Sequence, residues 1–209
     1  MMKPTRPELP REFVAVHKQR RMIDALAELS AEQGYEATKI ADIVSRAGVA
    51  RKTLYENFEG KEALFLSAFD LYFKELLAAV EGACEEAGGE WEERIEAGLA
   101  ALLRFVAERP AAARLCMVEA LSATPTASAA YDAAIHAFVE LLRRDAPPHE
   151  ELPDTTEESL VGGVAWILHQ RIRAGDAATI ADLLPELSRF VISPYRGVTS
   201  SGKETAKRK

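Results

Sequence analysis

The sequence holds two cysteines in 209 residues, Cys84 and Cys116, and neither stands in a CxxC pair or at Cys/His ligand spacing. That excludes a disulfide framework and a zinc site, and a cytoplasmic chain with ordinary thiols is expected. Runs of Val, Ile, Thr and aromatic residues, from which strands are built, are missing as well. No apolar stretch approaches the roughly 18–20 residues of a membrane span. The opening residues MMKPTRPELPREF carry basic charge with no apolar core behind it, unlike a secretory signal. GxGxxG, P-loop and HExxH spacings do not occur, and nothing orders Asp, His and Ser as a triad. Neither cofactor, metal nor enzymatic activity is therefore expected.

Alanine is abundant instead, at 36 residues. It loses no side-chain entropy in a helix, so the composition leans all-α. Residues 1–11 carry three prolines and no periodicity, the pattern of a basic arm (1–15). A first helix is expected from Glu12 to Gln33, with Val16, Ile23, Leu26, Ala27 and Leu29 near one face and Gly34 as its stop. Thr38 is placed to cap a second helix carrying Ile40, Ile43, Val44 and Ala47, and a third carries Val49, Leu54 and Phe58. A long fourth begins at Lys61. Further stripes run Trp91–Val106, Leu115–Leu121, Tyr131–Leu142, Leu160–Ile172 and Ile180–Val191, each stopped by Pro or Gly, about nine helices in all. Residues 196–209 are polar and aperiodic and read as a disordered tail.

Charge is unevenly spread. Residues 1–65 hold 11 Lys and Arg against 10 Asp and Glu, while residues 66–202 hold 11 against 22. A polyanion-binding end on an acidic body accounts for that asymmetry. Within the less acidic end, Thr38 to Lys61 reads TKIADIVSRAGVARKTLYENFEGK. Two short amphipathic helices are joined there by Ala47 and Gly48, the helix-turn-helix pattern, here over 39–58. With Val49, Leu54 and Phe58 packed inward, the other face of the second helix offers Arg51, Lys52, Thr53, Tyr55 and Asn57 to phosphates and base edges.

The run from Gly34 to Leu64 resembles the DNA-binding module of the TetR family of bacterial transcriptional regulators. Gly34, Thr38, Ile43, Ala47, Gly48, Val49, Thr53, Leu54, Tyr55, Phe58, Lys61 and Leu64 fall in register with the family pattern. Three departures stand out: Ala50 where Ser or Thr is usual, Val44 for the commoner Ala, and Asn57 for Tyr or His. Glu56 and Glu59 add negative charge beside the DNA face.

The resemblance implies a DNA-binding domain over 16–76 and a ligand-binding and dimerisation domain over 77–195. It implies that Arg51, Lys52 and Tyr55 reach into the major groove, and that Thr38, Thr53, Asn57 and Lys61 hold phosphates, with Lys39 and Arg46 as lesser contacts. Lys18, Arg20 and Arg21 would follow the backbone or a minor groove. It also implies a homodimer on double-stranded palindromic operator DNA, joined through helices at about 156–174 and 178–193. The middle helices would enclose a small apolar or amphipathic ligand, with Phe105, Cys116, Met117, Tyr131, His136, Phe138, Trp166 and His169 as candidate walls. The expected function is a DNA-binding repressor released by that ligand. A helical small-molecule-binding or scaffold protein that keeps the fold without DNA recognition is the alternative.

Overall fold

The computed structural model describes residues 11–147 and 152–205. Residues 1–10 of the expected arm and 206–209 of the expected tail lie outside them. Among the described residues all regular structure is helical. The elements are α1 (Arg11–Gln33), α2 (Ile40–Ala47), α3 (Arg51–Asn57), α4 (Lys61–Ala87) and α5 (Trp91–Glu108). They are followed by α6 (110–123), α7 (Pro125–Asp145), α8 (Thr156–Ala174) and α9 (Leu184–Thr205), with a 3-10 segment Ala177–Leu183 before α9. α6 widens into a π turn at Leu115–Glu119. The chain forms two compact units, residues 1–68 and 69–209, so the division falls inside α4.

In the first unit, α1 already includes Arg11 to Ala15, which the sequence assigns to the arm. Its inward face is Met22, Ile23, Leu26, Ala27 and Leu29, whereas Val16 is exposed. Ile43 and Ala47 of α2, Leu54 of α3 and Leu64 and Phe65 of α4 complete this core. Gly48 closes α2 at φ +61, a conformation that costs a residue with a Cβ. Its N–H returns to Ser45 O, and the chain turns directly into α3.

The second unit is centred on Leu103 and Val106 of α5, Leu160, Val164, Leu168 and Ile172 of α8, and Ile180, Leu187 and Val191 beyond it. Both stripes assigned to a dimer interface therefore turn inward. Pro194, expected to stop the last helix, lies inside α9, which continues to Thr205. Proline removes the bond to the carbonyl of Phe190, a residue 42% exposed and so outside the core. The helix absorbs the loss.

Candidate functional site

α3 is held by its buried Leu54 and by Phe58, whose N–H closes the helix on Leu54 O. Val49 is half-buried beside them. That anchoring leaves Arg51, Lys52 and Tyr55 on the outer face, Tyr55 at 48% exposure. The Arg51 guanidinium lies 5.7 Å from the Tyr55 ring centroid and within 3.4 Å of its hydroxyl. Lys52 pairs with Glu56 at 3.6 Å across one turn, both side chains in solvent, where such a pair contributes little. This face presents donors, an aromatic edge and exposed cations, a combination chemically suited to a major groove.

Other expected contacts are engaged inward, and the cap of α2 is not the one the sequence suggests. Thr38 does not cap α2: it is buried, and its hydroxyl donates to Gly34 O at 2.8 Å. Lys39 takes the cap position, its N–H donating to Asp42 Oδ2 at 3.2 Å, and its side chain is exposed. Lys61 is likewise committed, donating to Tyr35 O at 2.9 Å and Thr38 O at 3.1 Å with its ammonium 4.0 Å from the Tyr35 ring centroid. It staples the α1–α2 loop to the start of α4.

Asn57, half-buried, donates to Thr53 O at 2.7 Å and accepts from Gln19 Nε2 at 3.0 Å, bracing α3 on α1. Thr53 is half-buried too. Arg46 faces α1, where it bonds Glu32 and Glu28; the guanidinium holds the Glu32 carboxyl below its ordinary range. Of the arm cations, Lys18 is exposed, Arg20 pairs with Asp24, and Arg21 donates to Gly48 O at 3.3 Å.

Lys61→Ala is accordingly expected to lower the unfolding free energy by about 2 kcal/mol, because the carbonyls of Tyr35, Glu36 and Thr38 lose a charged donor. The salt dependence of DNA binding should stay unchanged. Denaturant melts and salt titrations of the full chain check both. A slope reduced by about one per subunit at unchanged stability would return Lys61 to the phosphate contacts.

The second unit holds an apolar cavity of about 150 Å³, half open to the outside. Cys116 and Met117 from the π turn and Tyr131 and Phe138 from α7 line it, as expected candidates. Burial pushes the Cys116 thiol well above its ordinary pKa, so it stays protonated, and desolvation also raises Tyr131. Phe105, Trp166 and His169 are not among the lining residues. Phe105 is buried elsewhere, beneath the Arg109 guanidinium. His169 Nδ1 meets Met117 O at 2.8 Å, supplying a partner to a carbonyl of the π turn. Trp166 is 62% exposed and stacks on His169 from outside. His136 is exposed, its Nδ1 on Asp132 O.

Sequence reasoning missed the α4 wall (Phe69, Phe73, Leu76, Val80) and, on α5, Arg94. An arginine set three residues after Trp91 and directly before Ile95, inside an apolar stripe, was the available signal. Among the described residues no group of His, Cys, Asp and Glu could hold a metal ion.

The family model of bacterial regulatory proteins of the tetR family matches residues 22–68. The HTH-type transcriptional repressor ComR of Escherichia coli is 39% identical over 66 residues, 31% of each chain. The chain thus matches about a third of the length of such curated relatives. Solved structures extend the likeness to the whole fold. The fatty acid degradation regulator FadR from Bacillus halodurans superposes with a TM-score of 0.75 at 17% identity, over 90% of this chain and 97% of that one. FadR from Bacillus subtilis, solved in complex with stearoyl-CoA, gives 0.74 at 18% identity, over 83% and 97%. With its helix-turn-helix and family-model match, the N-terminal unit carries the module of the tetR family of bacterial regulatory proteins, and the fold of the whole chain is like that of solved regulators.

Proposed function

We propose that this chain is a DNA-binding transcriptional regulator that acts as a homodimer on a two-fold operator and lets go when a small amphipathic ligand fills the cavity of its second unit. The observation that carries the reading is the outer face of α3, where Arg51, Lys52 and Tyr55 are exposed while the residues beside them hold the helix in place. A scaffold that had lost DNA recognition has no use for that arrangement. The phosphate-holding set is narrower than the sequence suggests: among the described cations of this unit Lys18, Lys39 and Lys52 are exposed beside Arg51, whereas Arg21 and Arg46, though exposed, are engaged by Gly48 and by Glu28 and Glu32. The name of the repressor relative supports repression, and the neighbour bound to stearoyl-CoA supports a ligand with a long apolar part.

Two recognition helices on a two-fold operator must meet major grooves about 34–36 Å apart, one turn of DNA. A symmetric pair of subunits supplies that spacing. Arg51 is the residue shaped for a bidentate contact to guanine. Arg51→Ala should relax selectivity at one base pair per half-site and cost about 1–3 kcal/mol there. Selection of the operator from random DNA by the parent chain and by the variant reads both. Identical preferences at every position would remove Arg51 from base reading, and a parent chain that selects no two-fold sequence would overturn the regulator reading itself.

A further inference from the structure

The cavity wall is chemically one-sided. Its lining side chains include no carboxylate, carboxamide, imidazole or aliphatic hydroxyl, and Arg94 is the one charged residue among them. Arg94 and Trp91 lie three residues apart on the same face of α5, at its N-terminal end. Trp91 is 92% buried, and its indole Nε1–H, shut off from solvent, has no acceptor. Arg94 is half-buried, and its Nε–H is likewise shut off from solvent without an acceptor. Among the described residues no carboxylate pairs with this guanidinium. In a unit so rich in Asp and Glu, such an omission is chemical information.

Buried donors in native proteins have partners almost without exception, and a donor left bare costs stability. Two bare donors beside one cavity, one of them on a fixed positive charge, call for an acceptor supplied from elsewhere. Tyr195 packs its ring 4.7 Å from that of Trp91 and anchors its own hydroxyl on Glu157 at 2.8 Å, so the indole is held in place. Beyond Arg94 the same face of α5 continues as Ile95, Gly98, Leu99 and Leu102, a wall without a polar side-chain group. From Arg94 to Leu102 it runs roughly 12 Å at the helical rise. That suits an alkyl chain of medium length.

We infer that the cavity binds an amphipathic carboxylate, with its head on Arg94 and the Trp91 N–H and its alkyl chain along α5 toward Leu102. This rests on the ligand-responsive reading above and goes further by fixing the ligand's charge. A cationic head would meet Arg94 repulsively, and an uncharged alcohol or ester would leave the guanidinium uncompensated. A thioester such as an acyl-CoA has an uncharged carbonyl at the same place, and the two sources are separable by experiment.

The test is calorimetric titration of the full chain, without DNA, with dodecanoate, dodecanol and dodecyltrimethylammonium at submicellar concentration. Dodecanoate is expected to bind about 10- to 100-fold more tightly than dodecanol, the range of a charge-assisted hydrogen bond. The ammonium should not bind measurably. In Arg94→Gln the advantage of dodecanoate over dodecanol should vanish while dodecanol affinity holds, a split that misfolding cannot produce. Trp91→Phe, which keeps the ring and removes the N–H, should weaken dodecanoate several-fold and dodecanol not at all. Equal affinity of the parent chain for dodecanoate and dodecanol would overturn the inference, and so would an undiminished preference in Arg94→Gln. Binding of stearoyl-CoA without binding of dodecanoate would overturn it too, yet leave the regulator reading standing. That reading fails separately, on operator selection.

Discussion

Trp166→Glu is expected to split the proposed homodimer into folded monomers and to remove operator binding at concentrations where the parent chain saturates its site. Trp166 stands 62% exposed on α8, and Phe190 of α9 is 42% exposed. The two helices meet closely there: a Cβ added at Gly163 would lie 2.9 Å from Phe190 Cζ, whereas one at Gly162 would meet nothing within 4 Å. Two large apolar side chains beside a bare glycine form a face that another copy can cover at short range. Two-fold symmetry would place each glutamate in a dry contact twice, without a cation to pair it, a cost a dimer does not absorb. Phe190→Glu should behave alike. Leu121→Glu, at a residue 41% exposed on α6, serves as the control and should remain dimeric. Sedimentation of the three variants decides the matter, and an interface elsewhere follows if both the Trp166 and Phe190 variants stay dimeric. Val164 and Leu187 are poor places for this experiment. At 6% and 0% exposure they belong to the core, and a glutamate there unfolds the unit instead of separating copies.

That contrast shows where the sequence stops being legible. The helix-turn-helix could be read directly, because short amphipathic periods joined at Gly48 leave few alternatives. Apolar periodicity along α8 was equally clear, but Leu160, Val164 and Leu168 define one face and Trp166 stands on another. Periodicity alone does not say which of the two meets solvent. The cations were harder still. Lys61 and Arg51 are both basic residues near a helix start, yet one ammonium is occupied by the carbonyls of Tyr35 and Thr38 while the other guanidinium faces outward. Their partners lie 23 to 26 residues away for Lys61, a separation that no local pattern encodes. Arg94 was overlooked for the opposite reason. A charged residue in a helical stripe is ordinarily a solvated flank, and only the enclosing walls from α4, α7 and α8 make it a lining residue.

Operator DNA is expected to weaken dodecanoate binding by about 5- to 150-fold, the usual range of coupling between two sites on one protein. The motive is α4, whose first residues, Lys61 to Ala68, belong to the DNA-binding unit and whose remainder, from Phe69, lines the cavity. One continuous helix is a physical route by which filling the cavity can alter the recognition unit. The ligand can do so only through a difference in its affinity for two arrangements of the chain, however tightly it binds either. Since free, ligand-bound, DNA-bound and doubly bound protein form a closed cycle, the two couplings must be equal. Whatever factor dodecanoate takes from operator affinity, the operator must take from dodecanoate affinity. Calorimetric titration of dodecanoate into the chain, alone and on its selected operator, gives one factor. Titration of operator at zero and saturating dodecanoate gives the other. Two equal factors above unity establish release by ligand; a shared factor below unity makes the ligand a co-repressor or co-activator. Equal dodecanoate affinity with and without operator would sink induction through this cavity and leave a regulator whose DNA binding ignores what the cavity holds.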